Sequence, residues 1–316
     1  MQILTHLFHI LVFPGFLFLA IVGMLLAGID RKLLARMQKR VGPPILQPVY
    51  DFIKLTGKET IIPSEANRFA YILAPIMGLI SLVIMMLFIP VFGFSAFSGK
   101  ADLIVILYLL TIPGVSLIVG GAASGSPYAE IGASREMVTM IAYELPLVVV
   151  LLAVAKKVGG SSLCFSLNEI VAWQGANGCG LFQWSLIPAA LAMMLVIPAE
   201  VGTQPFDVAE AETEICEGPL VEYSGFPLAI FKLNTAMKMF IMTSLFTALF
   251  LGGLDTGFIV LNVLILIAIS IALTFLCMTL IHAVTARLKI EHLFKFYWTI
   301  VSALAGISLI LVWLGL

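Results

Sequence analysis

Charge is what this sequence has least of. Only 11% of its 316 residues are Asp, Glu, Lys or Arg, against 61% hydrophobic residues, whereas a water-soluble domain carries about 25% charged residues. No soluble core of this size could hide so much apolar surface, so the remainder must face lipid. Cysteine is scarce too. Cys164, Cys179, Cys216 and Cys277 stand apart, without C-x-x-C spacing, and His6, His9, His282 and His292 are equally dispersed. Zinc and iron–sulfur sites need clustered ligands, so the chain is expected to hold no metal and no redox cofactor, leaving electron chemistry to a partner. Residues 1–29 contain no Lys or Arg, which removes the positive n-region of a cleaved signal. The first apolar segment therefore reads as a retained helix with its N-terminus outside.

What is present is a series of long apolar runs. Candidate spans lie at 7–28, 71–92, 103–121, 137–155, 181–199, 227–251, 258–281 and 294–315, about eight in all, each near the ~20 residues that cross a hydrocarbon core. The third and fifth are short and contain Pro113 and Pro188, which predicts kinks. Arg31, Lys32, Arg36, Lys39, Arg40, Lys54, Lys58 and Arg68 fall in the first loop, Arg135 in the third, and Arg287 and Lys289 in the seventh; the opposite side has Lys100, Lys156 and Lys157. The positive-inside rule puts the odd loops in the cytoplasm and both termini outside. There is no internal repeat, so residues 1–316 read as one all-α polytopic membrane domain. Within the first loop, Ile45 to Lys58 brings Val49, Ile53 and Leu55 near one another on a helix, with Asp51, Lys54 and Lys58 more to the other side. That pattern predicts an amphipathic helix in the cytoplasmic interface.

The fifth loop is the most informative segment. Residues 198–225, PAEVGTQPFDVAEAETEICEGPLVEYSG, carry seven acids, Glu200, Asp207, Glu210, Glu212, Glu214, Glu217 and Glu222, and no Lys or Arg. Read as a helix, the segment puts Glu210, Glu214 and Glu217 on one face. Crowded carboxylates raise one another's proton affinity and so pass protons or answer a nearby change of charge. A solvated acidic loop or a docking surface for a basic partner fits the composition equally well.

Glu144 lies inside the fourth span, in REMVTMIAYELPLVVV, where a charged carboxylate costs about 2.5–3.5 kcal/mol on insertion scales. It is expected to face the bundle interior, either marking an ion path or bonding a neighbouring helix as a neutral carboxyl. Glu136 lies two turns earlier on a similar face. Lys232 and Lys238 enter the sixth span with no acid beside them. Lys232 snorkels to the interface. Lys238, roughly 16 Å along the helix, either pairs with a carboxylate such as Glu144 or snorkels from a later helix start. Breaks at Gly120-Gly121, Gly125-Ser126-Pro127 and Gly202-Thr203-Gln204-Pro205 either frame a hydrated cavity or are ordinary loops.

Three segments, IDRKLLARMQKRVGPPILQPVYDFIKLTGKE (29–59), GASREMVTMIAYELP (132–146) and AEVGTQPFDVAEAETEICEGPLVEYSG (199–225), occur in the order found in one family. On these the chain resembles the heel subunit of respiratory complex I, subunit 1 of NADH–quinone oxidoreductase, and its relatives in energy-converting membrane-bound NiFe hydrogenases. Members of that family anchor a peripheral redox arm to a membrane arm. In complex I they help form the quinone chamber; in the hydrogenases the hydrogenase arm docks instead. The resemblance implies that Glu136, Glu144, Glu200, Asp207, Glu210, Glu212, Glu214, Glu217 and Glu222 begin a proton route toward antiporter-like subunits, and Lys238, from its depth in the sixth span, is expected to belong to the same relay. It also implies that Arg31, Lys32, Arg36, Gln38, Arg40, Gly42, Pro43 and Arg135 belong to the docking surface. No residue is expected to be catalytic. A NiFe centre and iron–sulfur clusters are expected in partners: hydrogenase large and small subunits and a ferredoxin-like subunit. Membrane lipid is a further contact, nucleic acid is not, and the cell membrane is the expected location.

Departures from the family pattern choose the branch. Quinone-type members carry extra residues, with a second Gly-Pro, between Gly42-Pro43 and Leu46-Gln47. They have Asn-Arg-Ala where this chain has Gly202-Thr203-Gln204, often a Glu where it has Thr235, and no lysines matching Lys232 and Lys238. A trimmed loop and a missing arginine weaken a quinone site, and EAETEICEGPLVEYSG is similar to the membrane subunits of Ech- and Mbh-type hydrogenases. The expected function is therefore membrane anchoring and proton relay in a ferredoxin-dependent energy-converting NiFe hydrogenase, coupling electron transfer to H⁺ or Na⁺ translocation. The alternatives are a quinone-site subunit of a complex I-type oxidoreductase, or the heel of a formate hydrogenlyase or sulfane reductase. A stand-alone transporter is a third class, disfavoured by the missing repeat.

Overall fold

In a computed structural model the chain is described over residues 2–91, 96–97, 99, 102–160, 162–254 and 256–315, without the side chains of 2–4, 212 and 213. Lys100 and the Glu212 side chain lie outside the described residues. The elements are α1 (Gln2–Leu11), α2 (Phe16–Met37), α3 (Gln47–Thr56), α4 (Arg68–Phe88), α5 (Asp102–Ala123), α6 (Pro127–Gly159), α7 (Leu167–Asn177), α8 (Ile187–Val201), α9 (Glu212–Ile215), α10 (Gly225–Phe250), α11 (Ile259–Thr274), α12 (Leu280–Val284), α13 (Ile290–Phe296) and α14 (Ser302–Trp313). π-helical turns at Phe275–Thr279 and Tyr297–Val301 join α11 to α12 and α13 to α14 into continuous rods. Among the described residues no strand forms. The chain is a polytopic all-α membrane protein, with seven helices among the described residues long and apolar enough to span and the shorter α8 beside them.

Helix α10 is apolar all round, and such a helix must be enclosed by others. Every residue from Ala236 to Phe250 is buried, surrounded by α2, α4, α8 and α11. The peripheral helices keep large apolar side chains exposed, among them Val260, Leu264, Ile310 and Trp313; this is surface for lipid, where Leu and Ile cost nothing.

Several boundaries differ from expectation. Pro14, which lacks an N–H, separates α1 from α2, so the first long helix starts at Phe16 and runs to Met37. Asp30, Arg31, Lys32 and Arg36 are thus on the helix, not in a loop. Helix α6 begins ten residues before the predicted span and is roughly 50 Å long at 1.5 Å per residue, carrying Arg135 and Glu136 at one end and Lys156 and Lys157 at the other. The fifth predicted span shrinks to the 15 residues of α8. Pro188 sits in its first turn, where a proline is tolerated, so it starts the helix and does not kink it. Helix α5 runs unbroken through Pro113 and through Gly120-Gly121.

Helix α3 forms as predicted but with a different face inward. It lies against α10 and turns Phe52 and Leu55 toward the protein, leaving Tyr50 and Ile53 exposed. Ile53 and Leu55 cannot share a face, because residues two apart point to nearly opposite sides of a helix.

Candidate functional site

The acid-rich segment after α8 is not one helix. Its α-helical part is Glu212–Ile215, a 3₁₀ turn follows at Gly218–Leu220, and the residues between them, Cys216 (φ 56°) and Glu217 (φ 80°), are left-handed. Glu210, Glu214 and Glu217 therefore share no helical face, which corrects the expectation from spacing. The segment folds back on itself and onto α6 through two glycines. A Cβ on Gly218 would sit 2.0 Å from the Ala209 carbonyl oxygen, and one on Gly132 would sit 2.5 Å from Pro219 Cδ; only glycine permits either approach.

This folding sends the acids to different places. Asp207 accepts two bonds from Arg287 Nε at 3.1 and 3.2 Å and one from its Nη2 at 2.9 Å, a bidentate pair. Glu214 takes Arg135 Nη1 at 2.6 Å. Glu217 is exposed and lines a cavity. The Glu222 side chain is exposed, but its carbonyl accepts from the Tyr71 hydroxyl at 2.8 Å. Tyr71 stacks on Tyr223 with ring centres 4.1 Å apart, which fixes the end of the segment. Glu210 is half-buried and faces inward. Burial, with Glu136, Asp207 and Glu217 nearby, pushes its carboxyl up to about 7, against the pull of Lys232.

Two cavities meet here. The larger, about 410 Å³, is bounded by α2, α3, α10 and the segment 202–220, and by Asp30, His282 and Arg287. The smaller, about 60 Å³, lies deeper between α5, α6, α8 and α10 and reaches Glu136, Glu200 and Lys238. Asp207, Glu210 and Thr235 line both, so those residues stand between them. Of the three glycine breaks, Gly202-Thr203-Gln204 frames the larger cavity, and Gly125-Ser126-Pro127 is the turn into α6.

At the inner end Lys238 Nζ lies 2.7 Å from Glu200 Oε1, with side-chain exposures of 8% and 2%. The expected partner, Glu144, is not the one bonded. Glu200 is the better placed because it ends α8 beside α10, and the Tyr143 hydroxyl bonds the same carboxylate. Glu144 Oε1 is buried with no hydrogen-bond partner, although Lys238 and Glu200 lie within electrostatic reach. Glu136 accepts from Thr139 Oγ1 at its carbonyl (2.8 Å) and its carboxylate (3.4 Å).

Of the residues expected at the docking surface, Arg31 reaches Asp51 at 3.3 Å and Arg40 Nε donates to Gln38 at 3.0 Å. Lys32, Arg36, Gly42 and Pro43 border the same end of α2. Arg135 turns inward to Glu214. Among the described residues, no three His, Cys, Asp or Glu side chains are arranged to hold a metal ion.

A family model described as NADH dehydrogenase matches residues 9–313. The chain belongs to the NADH dehydrogenase family. It is 34% identical to NADH-quinone oxidoreductase subunit 8 of Thermus thermophilus, over 91% of this chain and 82% of that one. It is 37% identical to hydrogenase-4 component C of Escherichia coli, over 72% of this chain and 70% of that one. Its fold matches a chain of the membrane-bound sulfane sulfur reductase, an archaeal respiratory membrane complex, with a TM-score of 0.88 and 31% identity over 99% of this chain and 100% of that one. The protein is thus a multi-pass membrane subunit of the complex I-like and hydrogenase-related respiratory complexes, and so one with partner subunits.

Sequence reasoning missed several residues of this family member's site. Arg287 is the cation for Asp207; an acid segment with no base of its own had to borrow one from another loop, and the seventh loop was the nearest supply. Tyr143 adjoins Glu144 in sequence, yet its hydroxyl serves Glu200. Asp30 accepts from Thr279 Oγ1 at 2.6 Å in the first π-helical turn, a contact across 249 residues that no local pattern announces.

Proposed function

We propose that this subunit anchors a peripheral redox arm and starts an ion relay in a ferredoxin-dependent energy-converting NiFe hydrogenase. One observation carries the relay: the two cavities share Asp207, Glu210 and Thr235, and the inner one ends on Glu136, Glu200 and Lys238 with Glu144 just beyond. Electron transfer in the arm changes the charge near the acid segment. Glu210, poised near neutrality, answers by taking or losing a proton, and Glu136, Glu200 and Glu144 pass that change into the membrane arm.

The basic end of α2, with Arg31, Lys32, Arg36, Gln38, Arg40, Gly42 and Pro43, receives the arm: hydrogenase large and small subunits carrying the NiFe centre and iron–sulfur clusters, and a ferredoxin-like subunit. Arg135 supports that surface indirectly by holding Glu214. Antiporter-like subunits and lipid cover the apolar flanks. The complex sits in the cell membrane with this basic face in the cytoplasm and both termini outside. Kinship with hydrogenase-4 component C and the trimmed segment at Gly42-Pro43 support the hydrogenase branch.

The test is to purify the native complex through a tag on this chain and assay hydrogen evolution from reduced ferredoxin together with ion translocation. Hydrogen evolution is expected, and Glu144→Gln is expected to lose translocation while hydrogen evolution survives. A preparation that makes no hydrogen but oxidises its donor with quinone supports a second reading, favoured by the large cavity's apolar wall of Met24, Phe52 and Leu233 and by the Thermus relative: a quinone-site subunit.

A further inference from the structure

The buried lysine is the element the acids alone do not explain. A buried ion pair is rarely worth its desolvation as mere glue, and Lys238 sits among more acids than it can serve at once. Glu200 holds it at 2.7 Å, and Glu136 and Glu144, on α6, both lie within its electrostatic reach. Glu144 Oε1 is buried and accepts from nothing, so one acceptor stands ready. The ammonium is a compact charge on a flexible four-carbon stem. Lys238 and Glu200 line a cavity of about 60 Å³ together with Asn234, whose Oδ1 is also buried and unpartnered. When the lysine leaves, the Tyr143 hydroxyl remains bonded to Glu200, so that carboxyl is not stripped of donors.

We propose that Lys238 is the moving cation of the relay, alternating between Glu200 and Glu144 so that a proton taken up at one carboxyl is matched by a proton released at the other. The cycle balances. A proton arriving from Glu136 neutralises Glu200 and frees the ammonium. The ammonium moves to Glu144, which gives up its proton toward the membrane arm. Passage of the Glu200 proton to Glu144 and return of Lys238 to Glu200 restore the starting state, so each turn moves one proton from Glu136 toward the membrane arm. No electron is transferred in this step, and Lys238 stays protonated throughout. The inference rests on the relay reading above, and Lys238 acts as a positioning residue for both carboxyls.

The experiment is an infrared difference spectrum of the purified complex between its oxidised and dithionite-reduced states, with translocation measured in parallel on proteoliposomes. The native complex is expected to show paired protonated-carboxyl bands of opposite sign, one removed by Glu200→Gln and the other by Glu144→Gln. The double variant Glu200→Gln/Lys238→Gln, which leaves no lone buried charge, should assemble but lose both the Glu144 band and translocation. Lys238→Arg keeps the charge but grips one carboxylate with a planar fork; it covers the case in which the double variant fails to assemble, and the same two losses are expected. A Glu144 band and translocation unchanged in Lys238→Arg, which keeps both carboxyls, would overturn the role of Lys238 while leaving the relay standing. Normal translocation in Glu144→Gln would remove the relay itself.

Discussion

Two ion pairs at opposite depths show how surroundings set the meaning of a contact. Arg31–Asp51 joins two side chains 51% and 39% exposed across 3.3 Å. Lys238–Glu200 joins side chains 8% and 2% exposed across 2.7 Å. The chemistry is the same, a cationic nitrogen on a carboxylate. At the basic end water screens the charges, and either partner is as comfortable alone. In the bundle, removing one partner strands the other in a low dielectric. The outer pair is therefore dispensable, while the inner one ties stability to protonation.

The sharpest way to break this comparison is Lys238→Met. It should lower the stability of the detergent-solubilised complex by about 3–5 kcal/mol, the cost of a stranded buried charge, seen as a fall in the thermal unfolding midpoint. The double variant with Glu200→Gln should recover most of that loss. Equal destabilisation of single and double variants would mean that packing matters here and charge does not.

Glu210 lies between the two extremes, on the wall that the two cavities share. Its carboxyl is raised from 4.5 to about 7 in the fold. Between those values the folded protein binds this proton more tightly than the unfolded chain does, so stability is full below pH 4.5 and declines as pH rises through 7. The shift corresponds to a loss on the order of 3 kcal/mol. Unfolding midpoints followed from pH 5 to 8 should fall in the native protein, and Glu210→Gln should flatten that slope. A slope that survives the substitution assigns it to another group.

The smallest effect belongs at the surface. Arg31→Ala should change stability by less than about 1 kcal/mol, and added salt should erase the difference. A larger, salt-resistant loss would show that the basic end of α2 is ordered by its own ion pairs and is not simply held ready for a partner.

The helices were legible because lipid imposes a length and an apolar composition that can be read without knowing any contact. That reading located α4, α5, α10 and α11 and the cluster of basic residues at the end of α2. Its failures share a cause. It ended the first span early because charges on α2 look like a loop until Arg31 is seen to reach Asp51 and Asp30 to reach Thr279. It could place Glu210, Glu214 and Glu217 on one face only if the segment were helical, and periodicity cannot foresee consecutive left-handed residues at Cys216 and Glu217. It left Lys238 either snorkelling or paired with a carboxylate such as Glu144; the partner is Glu200, which was counted in the loop.

By itself, then, the sequence determined that this chain lives in a membrane, which face carries its positive charge, and which acids are too costly to be idle; each follows from the price of taking a residue type out of water. Only the tertiary structure decided which acid meets which base. Pairing depends on how α6, α8 and α10 converge, on two glycines that let the acid segment close on α6, and on an arginine brought from a loop 80 residues away.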